Sequence, residues 1–190
     1  MIRRYGFRCG VTLEQNDSAG PALLTGGQRV PLNGAAQAVA DRAASLACGE
    51  RTMAELVEAT GRVSDELTTA LDRLGLIRHT VVDEHGAVLG LDPISGRGST
   101  VRGETSGDSS RHTPVVLSRF ASAHRYGEHL VLESPLPHYR ATLWRPEVAA
   151  LLEWLAAGDT GAGDTETDSL CVDLLIHASL AGPACPTCWR

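Results

Sequence analysis

Apolar and polar positions alternate with a period of two along Arg4–Glu14. Tyr5, Phe7, Cys9 and Val11 are separated there by small or charged residues, the pattern of a half-buried strand. Asn16-Asp17-Ser18-Ala19-Gly20-Pro21 is a dense turn signal. Ala22–Thr25 and Gln28–Leu32 read as two further strands joined by the tight turn Gly26-Gly27. Pro31 marks the third as an edge strand, because proline has no N–H to give a central ladder. The period then changes to that of helices. Ala35–Ala47 gathers Ala36, Val39, Ala40, Ala43, Leu46 and Ala47 on one face and stops before Gly49. Thr52-Met53-Ala54-Glu55 is a capping box that opens Met53–Thr60. Ser64 caps Asp65–Leu74, whose Leu67, Ala70, Leu71 and Leu74 are expected as a buried stripe. Leu76–Val82 and Ala87–Leu91 flank Asp83-Glu84-His85-Gly86 as a hairpin. Strands, three short helices and a closing hairpin make a winged-helix pattern.

The periodicity is lost over Ile94–Thr113, a stretch rich in Gly, Ser and Thr that reads as a flexible linker. After it come an extended lead-in from Leu117 to His124, a turn at Gly127-Glu128, and a short apolar strand, His129–Glu133. Ser134-Pro135-Leu136-Pro137 ends that strand. Tyr139–Trp144 then alternates Tyr, Ala and Leu against Arg, Thr and Trp. Pro146 opens a helix to Ala157 that buries Val148, Leu151, Leu152 and Leu155. Asp159–Asp168 reads as an acidic loop, and Leu170–Leu180 as a last helix. The expected fold is α+β: two small winged-helix-like units, 1–93 and 114–190, joined by a linker at 94–113.

Composition narrows the function classes. Of the 190 residues, 43% are hydrophobic and 21% charged, ordinary values for a globular chain. The net charge is −6, which argues against a nucleic-acid partner. The third helix reinforces this, setting Asp65, Glu66 and Asp72 against Arg73 alone. No apolar run reaches membrane-spanning length and Met1–Arg8 has no apolar signal core, so a soluble, cytoplasmic protein without a membrane partner is expected. Five cysteines, an odd number, do not suggest a disulfide framework.

Candidate chemistry is sparse. Cys185-Pro186-Thr187-Cys188, with Cys171 and His177 upstream, supplies four formal zinc ligands, but no second Cys-x-x-Cys accompanies it and no metal site is assigned. Among His124, His129, His138 and His177, only His177 has a carboxylate at helical spacing, Asp173, and such a pair is usually a helix contact. There is no nucleophile elbow, phosphate loop or dinucleotide fingerprint, so no catalytic or cofactor-binding residue is assigned.

The most distinctive residues lie in the second half. Val116–Ala121 (VLSRFA), Leu130–Leu136 (LVLESPL), the step from Leu143 to Pro146, and Cys171–His177 (CVDLLIH) resemble the N-terminal region of SagB-type azoline dehydrogenases. Those flavin enzymes oxidise thiazolines and oxazolines in ribosomally made peptides. The resemblance implies FMN for the complete dimeric enzyme and none in this chain. The first half resembles the recognition element of such pathways, in which a leader peptide adds as a strand beside the third strand, in a groove closed by the third helix. Carried onto this sequence, the peptide-binding residues are Gln28, Arg29, Val30, Leu32, Leu67, Ala70, Arg73 and Leu74. The leucines also suit the core, which leaves Arg29 and Arg73 as the sharper contacts. The implied partners are a precursor leader peptide and a flavin-domain or cyclodehydratase protein. Ala178–Arg190 departs from the resembling family where its flavin domain would follow, the expectation for a shortened enzyme or a stand-alone module. The alternatives are an FMN-dependent oxidoreductase subunit that completes its site with another chain and, less favoured, a winged-helix transcription regulator.

Overall fold

The structure, a computed structural model, describes residues 2–15, 20–32, 37–60, 64–94, 115–135, 139–158 and 165–183. It is a mixed α+β fold. The stretch expected as one strand over Arg4–Glu14 is two, β1 (Ile2–Phe7) and β2 (Val11–Glu14). Between them the Val11 N–H donates to the Arg8 carbonyl at 3.1 Å, and Gly10 takes φ 82°, a left-handed backbone that glycine adopts without a Cβ clash. The break sends the two strands into different sheets. β2 pairs with β3 (Ala22–Thr25), which pairs with β4 (Gln28–Pro31), in a small three-stranded sheet.

Helices α1 (Gln37–Ala47), α2 (Met53–Thr60) and α3 (Ser64–Arg73) follow, with a two-residue strand β5 (Arg51–Thr52) between the first two. The capping box forms as read: the Thr52 N–H donates to Glu55 at 2.6 Å and the Glu55 N–H to the Thr52 hydroxyl at 3.2 Å. The buried Arg42 ties the helices together, donating to the Thr68 hydroxyl of α3 at 2.8 Å and the Leu56 carbonyl of α2 at 3.1 Å. Of the stripe expected along α3, Leu71 is buried, whereas Ala70 is exposed and Leu74, beyond the helix end, is 48% exposed. Leu74 lies past Arg73, the last helical residue, and so leaves the stripe; the Leu67 side chain lies outside the described residues.

The hairpin β6 (Ile77–Asp83) and β7 (Gly86–Pro93) leads to β8 (Val115–Leu117), β9 (Ser122–Tyr126), β10 (His129–Glu133) and β11 (Tyr139–Leu143). The extended lead-in is thus two strands, β8 and β9. Apart from Ile94, the linker expected at 94–113 lies outside the described residues, as do Cys185 and Cys188. Helix α4 (Pro146–Ala157) ends at Gly158, φ 70°, as read. Helix α5 spans Glu166–His177 instead of Leu170–Leu180, because the Thr165 hydroxyl accepts the Asp168 N–H at 3.1 Å and starts it early. Residues 166–168, expected in a loop, are helical. Ser179 then turns the chain at φ 57° into β12 (Ala181–Pro183), which pairs with β8.

One seven-stranded antiparallel sheet, in the order β5-β1-β6-β7-β11-β10-β9, runs through the molecule. It crosses the boundary read from sequence, since β7 and β11 pair directly from Leu89–Leu143 to Pro93–Tyr139. Inward residues of the sheet and the helices build two adjoining cores. Tyr5, Phe7 and Ile77 meet Ala43, Leu46, Leu56 and Leu71, together with Val11 and Leu23 of the small sheet. Val81, Leu89, Leu91, Leu132, Ala141 and Leu143 meet Val148, Leu151, Leu155, Leu174 and Leu175 of α4 and α5. The helices therefore cover one face of the large sheet. Among the described residues no helix is long and apolar enough to cross a membrane.

Candidate functional site

Gln28, Arg29 and Val30 lie on β4, the outer strand of the small sheet. The two-residue turn Gly26-Gly27 closes Thr25 against Gln28, and in an antiparallel ladder alternate residues bond across the pair. The Leu32 N–H, donating to the Pro21 carbonyl at 2.9 Å, keeps that phase. Arg29 and Pro31 therefore turn their backbone outward. Pro31 costs the β3–β4 ladder nothing and removes one donor from the free edge. The edge offers the Arg29 N–H and the carbonyls of Arg29 and Pro31 to an added strand. Val30 and Leu32 pack on the core, while the Arg29 guanidinium reaches Glu14 at 2.8 Å and the Gly20 carbonyl at 3.1 Å. On α3, Ala70 and Arg73 are exposed, as is Leu74 just beyond. Helix α3 packs on α1, α2 and β6, and β4 and α3 contribute to one core.

A broad concavity of about 740 Å³ lies elsewhere, on the sheet face away from the helices. Its floor comes from outward residues of β6, β7, β11, β10 and β9: Arg78, Asp92, Thr142, Val131 and His124, with Arg8 at one end and Tyr126 at the other. Arg78 donates to Asp92 at 2.7 Å and Arg140 pairs with Glu133. Arg8 donates to the Thr25 hydroxyl at 2.8 Å. Two of its three guanidiniums are thus paired with carboxylates. Beside it the Trp144 indole covers Gly90, where an added Cβ would stand 2.2 Å from the indole, and the Arg78 guanidinium sits 5.8 Å from the ring centre.

The covered face holds a polar cluster that the sequence reading did not assemble. Asp72 of α3 accepts from His79 Nε2 of β6 at 2.8 Å, from the Tyr139 hydroxyl of β11 at 3.0 Å and from His177 Nε2 of α5 at 3.0 Å. The rings pack edge to face, Tyr5 to His79 at 5.3 Å and His79 to His177 at 5.0 Å. Arg3 Nη2 lies 2.8 Å from His79 Nδ1. Arginine only donates, so Nδ1 accepts and the imidazole carries its proton on Nε2, facing Asp72. Burial pushes the His79 pKa down to about 4, against the pull of Asp72. Burial also opposes the Asp72 charge, but the His177 and His79 hydrogen bonds outweigh it and hold the carboxyl well below its usual range. Burial, then the Asp72 charge, raises the Tyr139 pKa.

The ligand atoms of Asp72, His79 and His177 lie within 4.8 Å of one another, close enough to raise the question of a metal. An ion would need the His79 Nε2 lone pair, which moves the ring proton to Nδ1 and aims it at the Arg3 guanidinium. Metal-bound imidazoles direct that N–H at an acceptor. The cluster fits a hydrogen-bonded clasp. It also corrects two readings: His177 pairs with Asp72 rather than Asp173, and Asp72 points into the protein instead of adding to an acidic α3 surface. The available signal was His79, a polar residue at the inward position between Ile77 and Val81. Nothing in sequence spacing ties it to residue 72 or 177.

Residues 115–182 match the family model described as "Cyanobactin oxidase ThcOx". This segment is thus similar to an oxidase-related domain of ribosomal-peptide biosynthesis. No curated protein matches the chain. The oxidase-related segment runs from β8 to β12 and includes α4 and α5. Its core also takes Val81, Val88, Leu89 and Leu91 from β6 and β7, outside the matched residues. Tyr139 and His177 lie inside the match, Asp72 and His79 outside it, so the polar clasp joins the two parts of the chain.

Proposed function

We propose that this chain recognises the leader of a ribosomally made precursor peptide, as the non-catalytic, recognition-element-like part of a SagB-type azoline dehydrogenase. The match of residues 115–182 to a peptide-modifying oxidase family carries the reading. The strand edge of β4 supports it, since backbone groups left free there are the means by which an extended peptide is held without regard to most of its side chains. In this reading Gln28, Arg29, Val30 and Leu32 border the peptide on one side. Leu67, Ala70, Arg73 and Leu74 border it on the other. The partner is the precursor peptide, delivered to an FMN-binding domain or to a cyclodehydratase protein. The oxidase match favours one other reading: an FMN-dependent oxidoreductase subunit that completes its site with another chain.

Fluorescence polarisation of the chain with the labelled leader peptide encoded beside its gene separates the two. Peptide recognition predicts saturable binding in the low-micromolar range or tighter, weakened by Arg29→Ala and by Arg73→Ala, without flavin absorbance in the purified chain. Stoichiometric FMN retained through purification, with no peptide binding, would establish the oxidoreductase subunit instead.

A further inference from the structure

We infer that β9 is a second strand-addition site and takes an extended acidic peptide segment as an eighth strand of the large sheet; this rests on the peptide-recognition reading and deepens it. β9 is the last strand of that sheet and all five of its residues are exposed. The two-residue turn Gly127-Glu128, with Gly127 at φ 60°, closes Tyr126 against His129. By the alternation of an antiparallel ladder, Ser122, His124 and Tyr126 bond to β10, while Ala123 and Arg125 turn both N–H and C=O to the open edge. That is four backbone groups, with no proline among them. β4 offers three.

The chemistry of the guest follows from charge. The chain carries −6 overall, yet the surroundings of β9 are cationic. Among the described residues of the groove, Asp92 and Glu133 match Arg78 and Arg140 and Arg8 lies at the far end, so the excess positive charge near the edge comes from the strand and its approaches. On the strand and its approaches stand Arg119 and Arg125 with Glu128. Arg119 stacks on the exposed Phe120, 4.6 Å from its ring centre. Free strand edges are usually guarded by proline, bulges or charge. Here the guard is Arg125, which discourages a second copy of the same edge and favours carboxylates. An added strand would place alternate side chains beside Ala123 and Arg125, and the others over the groove beside His124 and Tyr126. Tyr126, 75% exposed, gives the latter an aromatic surface.

The test uses the full chain and two fluorescein-labelled peptides of about nine residues, one alternating Glu and Thr, the other Lys and Thr. Ala123→Pro blocks the edge without breaking the β9–β10 ladder, because the lost N–H points outward. The acidic peptide is expected to bind and the basic one not to. Ala123→Pro or Arg125→Glu should weaken binding at least about tenfold. Equal binding of both peptides, or acidic binding that survives Ala123→Pro, overturns the inference. So does self-association of the chain that Ala123→Pro abolishes, since it gives the edge to a second copy. The leader peptide is measured alongside. If it binds while the acidic probe does not, only the β9 site falls; if neither binds, the peptide-recognition reading falls with it.

Discussion

The two faces of the large sheet use the same residue types to opposite ends. On the helix-covered face a carboxylate, two imidazoles and a phenol converge, each hydrogen-bonded and all but the partly exposed His177 buried. On the open face Arg78–Asp92 and Arg140–Glu133 pair across neighbouring strands in partial contact with solvent. Water makes the difference. A buried acceptor that loses its charge leaves donors with no alternative partner, whereas an exposed pair that is cut is rehydrated. Stability is therefore concentrated on one face, and the other is left free to exchange its contacts for those of a ligand.

Substitutions can break this contrast or sharpen it. Asp72→Asn should have the largest effect, a loss of about 3–5 kcal/mol in urea unfolding, since it leaves His79, Tyr139 and His177 without a common anionic acceptor. A loss below about 1 kcal/mol would show that the clasp is solvated after all.

Acid should act through the same cluster. The His79 pKa is depressed to about 4, so the unfolded chain takes up a proton first as pH falls through the ordinary imidazole value. Stability is full above that value and falls as pH drops toward 4, by about 3 kcal/mol at the limit. Asp72, whose carboxyl pKa is lowered, adds a further loss only below the usual carboxylate range. Unfolding midpoints measured across this window should slope in the wild type and flatten in His79→Gln; equal slopes would clear His79 of the effect.

Gly90→Ala tests whether the open face is weak everywhere. The new Cβ would collide with Trp144, and a cost of about 2 kcal/mol with a shift in tryptophan emission is expected. Arg140→Ala should be the mildest. Its side chain is half exposed, so a change within about 0.5 kcal/mol is expected, and a larger one would mean that the pair organises the groove.

Local order was legible in the sequence and long-range assembly was not. His129–Glu133, Met53–Thr60 and Pro146–Ala157 were read to the residue, because strand alternation, a capping box and an N1 proline are signals carried by near neighbours. Arg4–Glu14 was misread because its alternation continues through Gly10, where only the positive φ shows that the chain turns. The start of α5 was missed because its first turn, Glu166–Asp168, is polar and looks like loop until Thr165 is seen to cap it. The pairing of β7 with β11 and the meeting of Asp72, His79 and His177 join residues up to 105 positions apart, which no local period encodes. The proposed binding residues had the reverse difficulty. Their strand and helix were readable, but which backbone groups of β4 face outward follows only from the observed register.

The most direct measurement is amide hydrogen exchange of the full chain with and without saturating leader peptide. Recognition by strand addition predicts new protection at the outward amides, Arg29 on β4 or Ala123 and Arg125 on β9, with α4 and α5 unchanged. Bound peptide with no added protection at either edge would contradict it.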